Sequence, residues 1–178
     1  SLFQEEVPSR LLLGLMEEDD RRLTAALEEL HSRGIIEERR GERDAAYGFV
    51  HQRIRELIYG RLTTYQRQPL HQRAAELLSE LEPPKDGRAC RQIAQHFQLA
   101  GDRLGALEYQ VRALDLDSSR VCAPFSRFGG DAPLVIPAKE LEERAQNCLT
   151  ELSALRRDGV DPAALAALEH WVTLSLGR

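Results

Sequence analysis

The sequence predicts a mainly α-helical protein: a small head of helices and one β-hairpin, followed by antiparallel helical hairpins. Three observations carry this. Apolar residues recur at three- and four-residue spacing along most of the 178 residues. One stretch, residues 35–50, breaks that period into two short β-type runs around a polar, Gly-containing tip. Glycine or proline punctuates the periodic stretches, at Gly34, Pro83, Gly101 and Gly159.

Pro8 opens a short helix over 8–16, with Leu11, Leu12 and Leu15 apolar and proline in the first turn. The acidic run Glu17-Glu18-Asp19-Asp20 reads as a solvated turn whose last Asp caps the next helix, where the macrodipole favours negative charge. That helix, 20–33, carries Leu23, Ala26, Leu27 and Leu30 as one stripe and ends at Gly34, as a left-handed C-cap does. Helix, helix and hairpin in this order predict a winged helix with the hairpin as its wing, the first helix of that fold being truncated at Leu2-Phe3. A further helix starts near His51, with Ile54, Leu57, Ile58 and Leu62 as its stripe. Residues 65–82 form another, with Leu70, Ala74, Leu77, Leu78 and Leu81 inward, and Pro83-Pro84 stop it.

From Arg88 onward the elements pair. Ile93, Ala94, Phe97 and Ala100 make one stripe, Gly101-Asp102 turn the chain, and Leu104, Leu107, Val111 and Leu114 make a second. Two helices of this length around a tight turn form an antiparallel hairpin. Val121, Cys122, Phe125 and Phe128 continue the apolar pattern until Phe128-Gly-Gly-Asp-Ala-Pro133 and Pro137 interrupt it, and the role of 118–137 stays open. Residues 139–157 resume a helix, with Leu141, Ala145, Cys148, Leu149, Leu152 and Leu155 inward, ended by Gly159. Asp161-Pro162 start the last, with Asp as N-cap and Pro at the first helical position. Its stripe is Leu165, Leu168, Val172 and Leu176, with Trp171 beside them. The expected domains are a winged helix over 1–62, a linking helix over 63–84 and helical repeats over 85–178.

The net charge is −5, from nine Lys/Arg against thirteen Asp/Glu in residues 1–60 and fifteen against sixteen in the rest. Neither part has the basic excess of a strong nucleic-acid module. No run approaches the ~18 apolar residues that span a membrane. The cysteines Cys90, Cys122 and Cys148 are far apart and form no CxxC pair, so the expectation is reduced, partly buried thiols in a cytoplasmic protein and no zinc site. The chain starts at Ser1 and stops at Arg178 without a capping element, so both ends are expected to be boundaries inside a longer polypeptide.

Three stretches taken in order resemble a known arrangement. They are Phe49-Val-His51-Gln-Arg-Ile-Arg55-Glu56-Leu-Ile-Tyr59, then Arg67-x-x-Leu70-His71-x-x-Ala74-Ala75-Glu76-x-Leu78, then Ala94-x-His96-Phe97-x-x-Ala100-Gly101-Asp102-x-x-x-Ala106. Over roughly residues 5–115 the chain resembles the region after the nucleotide-binding core of STAND-class signalling ATPases, bacterial regulators with an AAA-type ATPase, a winged helix and tetratricopeptide-like repeats. The helix end Leu27-x-x-Leu30-x-x-x-Gly34-Ile-Ile also fits that winged helix. Ala94, Phe97, Ala106 and Ala113 match the small–aromatic–small–small spacing of a tetratricopeptide unit, while Gln110 and Ser118 depart from it. No GxxxxGK[ST] loop occurs, so ADP or ATP is expected in the longer parent and no cofactor in this chain.

His51 is the first candidate site residue. A helix N-terminus attracts anions through its free N–H groups and its dipole, and the ordinary alternative is a capping histidine. The resemblance implies more: in such ATPases a winged-helix histidine near this point contacts the nucleotide phosphate and helps hold the closed, ADP-bound state, and His51 stands in the matching Phe-x-His context. Arg53 and Arg55 are alternative phosphate or domain contacts, weighed against a solvated role. His71 and His96 read as packing histidines, and Tyr59, Phe97, Tyr109 and Trp171 as core aromatics.

Three functions are weighed. The first is a non-catalytic regulatory segment of a signalling ATPase-type transcriptional regulator. Its partners would be the parent's nucleotide-binding domain and other protein surfaces, a second copy included. The second is a DNA-binding winged helix with a helical dimerisation domain, which would use Arg21, Arg22, Arg33, Arg39, Arg40 and Arg43. Glu28, Glu29, Glu37, Glu38 and Glu42 lie among these and cancel the positive potential that phosphate contacts need. The third is a helical-repeat peptide-binding adaptor. An enzyme reading has no nucleophile–base pair, carboxylate pair or metal cluster behind it.

Overall fold

The computed structural model describes residues 7–16, 20–40, 45–81, 84–121 and 136–176. Leu2-Phe3, Glu17 to Asp19, Arg43, Pro83 and residues 122–135, with Cys122, Phe125 and Phe128, lie outside them. The protein is mainly helical with a small three-stranded antiparallel sheet, and it divides after Glu82 into two compact units.

The first unit runs β1 (Val7–Pro8), α1 (Ser9–Leu15), α2 (Asp20–Ser32), β2 (Ile36–Arg40), β3 (Ala45–Phe49), α3 (Gln52–Arg61) and α4 (Thr64–Leu81). The expected hairpin is β2–β3, in register from Ile36↔Phe49 to Arg40↔Ala45. The sequence reading missed β1, which pairs Val7 with Tyr47 and Pro8 with Ala46 on the outer side of β3. Two residues carry no period to read, and Pro8, lacking an N–H, is tolerated there because the strand is an edge. α2 begins at Asp20 itself and ends as expected at Gly34, whose φ is 66°. The N–H of Gly34 donates to the His31 carbonyl and that of Ile35 to the Leu30 carbonyl, the paired bonds of a Schellman cap. Gly101 and Gly159 close their helices the same way, with positive φ.

α4 starts with a capping box absent from the sequence reading. The Gln66 N–H donates to the Thr63 hydroxyl, and the Thr63 N–H donates to Gln66 Oε1 at 2.9 Å. α4 is no bare connector. His71, Ala74, Ala75 and Leu77 are buried in it, and it packs on α1 around Leu11. The approach is close: a Cβ at Gly14 would sit 2.8 Å from Leu77 Cδ2. The helix therefore belongs to the first unit.

Two expected stripes are only partly used. On α2, Leu23 is buried, but Ala26 is exposed and Leu30 lies at the surface. On α3 no residue is buried, and Leu57 is 60% exposed and Ile58 44%. Among the described residues α2 meets the sheet through β2, and α3 meets it through β3 and meets α4 through Tyr59, which leaves Leu57 and Ile58 exposed.

The second unit is α5 (Gly87–Ala100), α6 (Arg103–Val121), α7 (Ala138–Arg157) and α8 (Pro162–Leu176). Asp86, Asp102 and Asp161 cap α5, α6 and α8, each accepting an N–H from the first turn of its helix. α5 and α6 form one hairpin and α7 and α8 another, and both α7 and α8 pack on α6. Ala94, Ala106 and Ala113 are buried where α5 meets α6, and Phe97 stacks on Tyr109 with centroids 5.6 Å apart. Leu107, Val111 and Leu114 of α6 join Ala145, Cys148, Leu152, Leu165 and Val172 in one cluster. Trp171 departs from its expected core role, being 46% exposed on α8. A buried carboxylate ties three helices together: Asp117 of α6 pairs with Arg91 of α5 and, at 3.0 Å, with Arg144 of α7.

Candidate functional site

The expected site residues converge on the start of α3. His51 is the N-cap residue, with extended φ and ψ of −125° and 123°, and its side chain makes no capping hydrogen bond. Its carbonyl accepts the Ile54 N–H at 3.0 Å, and its imidazole is exposed. Arg53 is exposed on the first turn and Arg55 half-buried. That turn holds no acidic residue; Glu56 comes next and accepts a hydrogen bond from Gln52 at 2.9 Å. The Ile54 and Arg55 N–H groups both turn back onto the His51 carbonyl, so what this helix end presents is the outward imidazole, Arg53 and the positive end of the helix dipole.

The arginines of the DNA-binding reading are not gathered in this way. Arg21 and Arg22 lie at the first turn of α2 and Arg33 just past its other end, where it is ion-paired with Glu29 at 2.6 Å. Arg39 is held by Glu37 on β2. Arg40 is in β2 opposite Ala45, and Arg43 lies outside the described residues. Phosphate contacts by Arg33 or Arg39 would first break these pairs.

Beyond its first turn, α3 presents Leu57 and Ile58 outward, a feature periodicity could not reveal because the same stripe suits a buried helix. The helix is anchored at Tyr59. The Tyr59 hydroxyl shares a 2.9 Å hydrogen bond with His71 Nε2, the two rings meet edge to face, and the Arg67 guanidinium lies 4.2 Å from the Tyr59 ring centroid. Burial, reinforced by the charge of Arg67, holds the His71 pKa below its usual value. The unfolded chain therefore takes up a proton at His71 at higher pH than the folded one. Stability from this site is complete above a pH of about 6.5, the unfolded value, and declines as pH falls toward the lower folded value. Unfolding of the first unit followed from pH 8 to 5 should show that decline, and His71→Gln should flatten it. An equal slope in the variant would assign the decline elsewhere.

Other chemistry is sparse. Burial pushes the Cys148 thiol up to about 11 and raises that of Cys90, so neither is a ready nucleophile. Among the described residues, no group of three or more His, Cys, Asp and Glu side chains is placed to hold a metal ion, and no helix is long and apolar enough to cross a membrane. Two grooves of the second unit are lined by described residues. One, of about 500 Å3 between α6 and α8, has Leu104, Val111 and Leu168 in its lining and Trp171 among them. The other, of about 300 Å3 between α5, α6 and α7, presents the amides of Gln95, Gln98, Gln110 and Asn147 with Arg91 and Arg144. No protein-family model, curated protein or solved structure matches the chain.

Proposed function

We propose that the chain is a non-catalytic regulatory and interaction segment of a signalling ATPase-type transcriptional regulator acting in the cytoplasm. The observation that carries this reading is α3, a ten-residue helix with no buried residue, Leu57 and Ile58 exposed and His51 free of a capping bond at its N-cap. Such a helix offers apolar surface for a protein neighbour, and its first turn offers the positive end of the helix dipole, an imidazole and an arginine for an anion. A nucleotide-binding domain that holds ADP presents both. The order strand, helix, helix, hairpin, with the first strand beside the last, supports reading the first unit as a winged helix. Small residues buried between α5 and α6, and the amide-lined groove of the second unit, support a tetratricopeptide-like arm that receives a partner protein or a second copy.

The mechanism is a two-state element. α3 docks on the parent's nucleotide core while His51 contacts the ADP phosphate, and nucleotide exchange removes that contact and releases the unit. One hydrogen bond to a charged phosphate contributes roughly 1.5–3 kcal/mol. In the full-length parent, His51→Ala should therefore weaken ADP retention by about ten- to a hundredfold and raise basal output, measured by nucleotide release and reporter activity. ADP affinity and output equal to those of the unaltered parent would remove the sensing role.

A further inference from the structure

The open groove between α5, α6 and α7 is lined by polar side chains that the protein itself leaves unused. Its volume is about 300 Å3, and Gln95 and Gln98 of α5, Gln110 of α6 and Asn147 of α7 line it together with Arg91 and Arg144. Among the described residues none of the four amide side chains makes a hydrogen bond within the chain, and no carboxylate lines the groove. The two guanidinium groups are held in place and keep donors to spare. Each bonds the same oxygen, Oδ2, of the buried Asp117, and Arg144 also reaches Glu140. A guanidinium has five N–H donors, of which Arg91 uses one and Arg144 two in these bonds. Ala94 and Ala113, both buried, also line the groove, so a second chain can approach α5 and α6 closely.

The donors and acceptors select the occupant. A side-chain amide carries N–H donors and a carbonyl acceptor, the same pair that a peptide group carries. A helical partner satisfies its own main chain and would cover the four amides unpaired, at about 1–3 kcal/mol for each buried group left without a bond. An extended segment has main-chain N–H and C=O groups free to meet them. A single-stranded nucleic acid would bring anions for the arginines, but its bases stack on aromatic side chains, and the described lining has none. The two guanidinium groups, with no carboxylate beside them in the lining, favour a negative side chain. We infer that this groove binds an extended acidic peptide segment of a partner protein. Its main chain pairs with Gln95, Gln98, Gln110 and Asn147, and a carboxylate side chain reaches the remaining N–H groups of Arg91 and Arg144. The inference deepens the reading of the second unit as an arm that receives a partner, and it rests on that reading but not on the parent's nucleotide.

The carboxylate contact is tested on the peptide, because replacing Arg91 or Arg144 would also disturb Asp117. A randomised pool of short blocked peptides, passed over the immobilised full 178-residue chain, should be enriched in sequences with aspartate or glutamate. The most enriched of them should bind saturably by calorimetry, and its counterpart with the carboxylate changed to the amide should bind at least about tenfold more weakly. Gln98→Ala and Asn147→Ala, both at exposed positions, should each weaken the acidic peptide about three- to tenfold with helical circular dichroism retained. Gln92→Ala, exposed on α5 outside the groove, should leave affinity unchanged. In the unaltered protein the side-chain amide signals of Gln95, Gln98, Gln110 and Asn147 should shift with the peptide, a readout that needs no variant to fold. Enrichment without acidic residues, equal binding of the amide counterpart, or shifts confined to other amides would overturn the assignment while leaving a peptide-receiving arm in place. Retention of no peptide would overturn both.

Discussion

Asp117→Ala should lower the stability of the second unit by roughly 2–4 kcal/mol, more than any surface charge change in the chain. The carboxylate has a side-chain exposure of 5% and pairs with Arg91 from one hairpin and Arg144 from the other. Removing one partner of a buried ion pair costs roughly 3–5 kcal/mol when the remaining charge is trapped. Here the arginine side chains are 37% and 29% exposed, so both retain some water and the cost moves toward the lower end. Gly87 makes the test sharper. A Cβ at that position would lie 2.1 Å from Asp117 Oδ1, and the pinned carboxylate has little room to move. Gly87→Ala alone should therefore destabilise. In the Asp117→Ala background the obstacle is gone, and the same substitution should be neutral or gain up to about 1 kcal/mol from helix propensity. The chain's single tryptophan, Trp171, lies in α8, so its fluorescence during urea unfolding reports this unit directly. Costs that simply add in the double variant would break the proposed contact between Gly87 and Asp117.

Asp117 also marks where sequence reading stops. Local signals were legible: the glycines at 34, 101 and 159 close helices with positive φ, and Asp161-Pro162 start α8 with the expected cap. The inward stripes of α5 and α7 are buried at Ile93, Ala94, Ala145, Cys148, Leu152 and Leu155. Each is set by a few neighbouring residues. Asp117 meets Arg91 and Arg144 from 26 and 27 residues away, and nothing in the spacing of those residues announces the match. In the sequence Asp117, one turn beyond Leu114, has no assigned role. The opposite error occurred at α3. Its Ile54, Leu57, Ile58 and Leu62 have the period of a buried face, but burial requires a neighbour, and among the described residues β3 and the Tyr59 contacts to α4 leave Leu57 and Ile58 uncovered. For the site itself, His51 at the start of a helix was readable from the hairpin before it, whereas the open apolar groove of about 260 Å3 beside α3 was not. A groove is the space left where several elements meet, and no single stretch of sequence encodes it.

That difference in packing should separate the two units in a pair of truncations. Leu107→Ala should destabilise the second unit by roughly 3–5 kcal/mol, the upper part of the range for a buried leucine. Leu107 is fully buried, and the cluster around it draws on α6, α7 and α8, so three helices would have to shift together to close the space left behind. Partial relaxation is what sets the scale, because the cost rises with the volume that stays empty. Leu12→Ala in the first unit should cost less, roughly 1–2 kcal/mol, because Leu12 is only half-buried and already borders empty space on one side. It has fewer contacts to lose, and the truncation widens an open groove instead of creating a closed void. Tryptophan fluorescence follows the Leu107 variant, and tyrosine or methyl signals of the first unit follow the Leu12 variant. A Leu12→Ala loss as large as that of Leu107→Ala would mean that the groove beside α3 is filled by side chains in solution, and would count against the looser packing of the first unit.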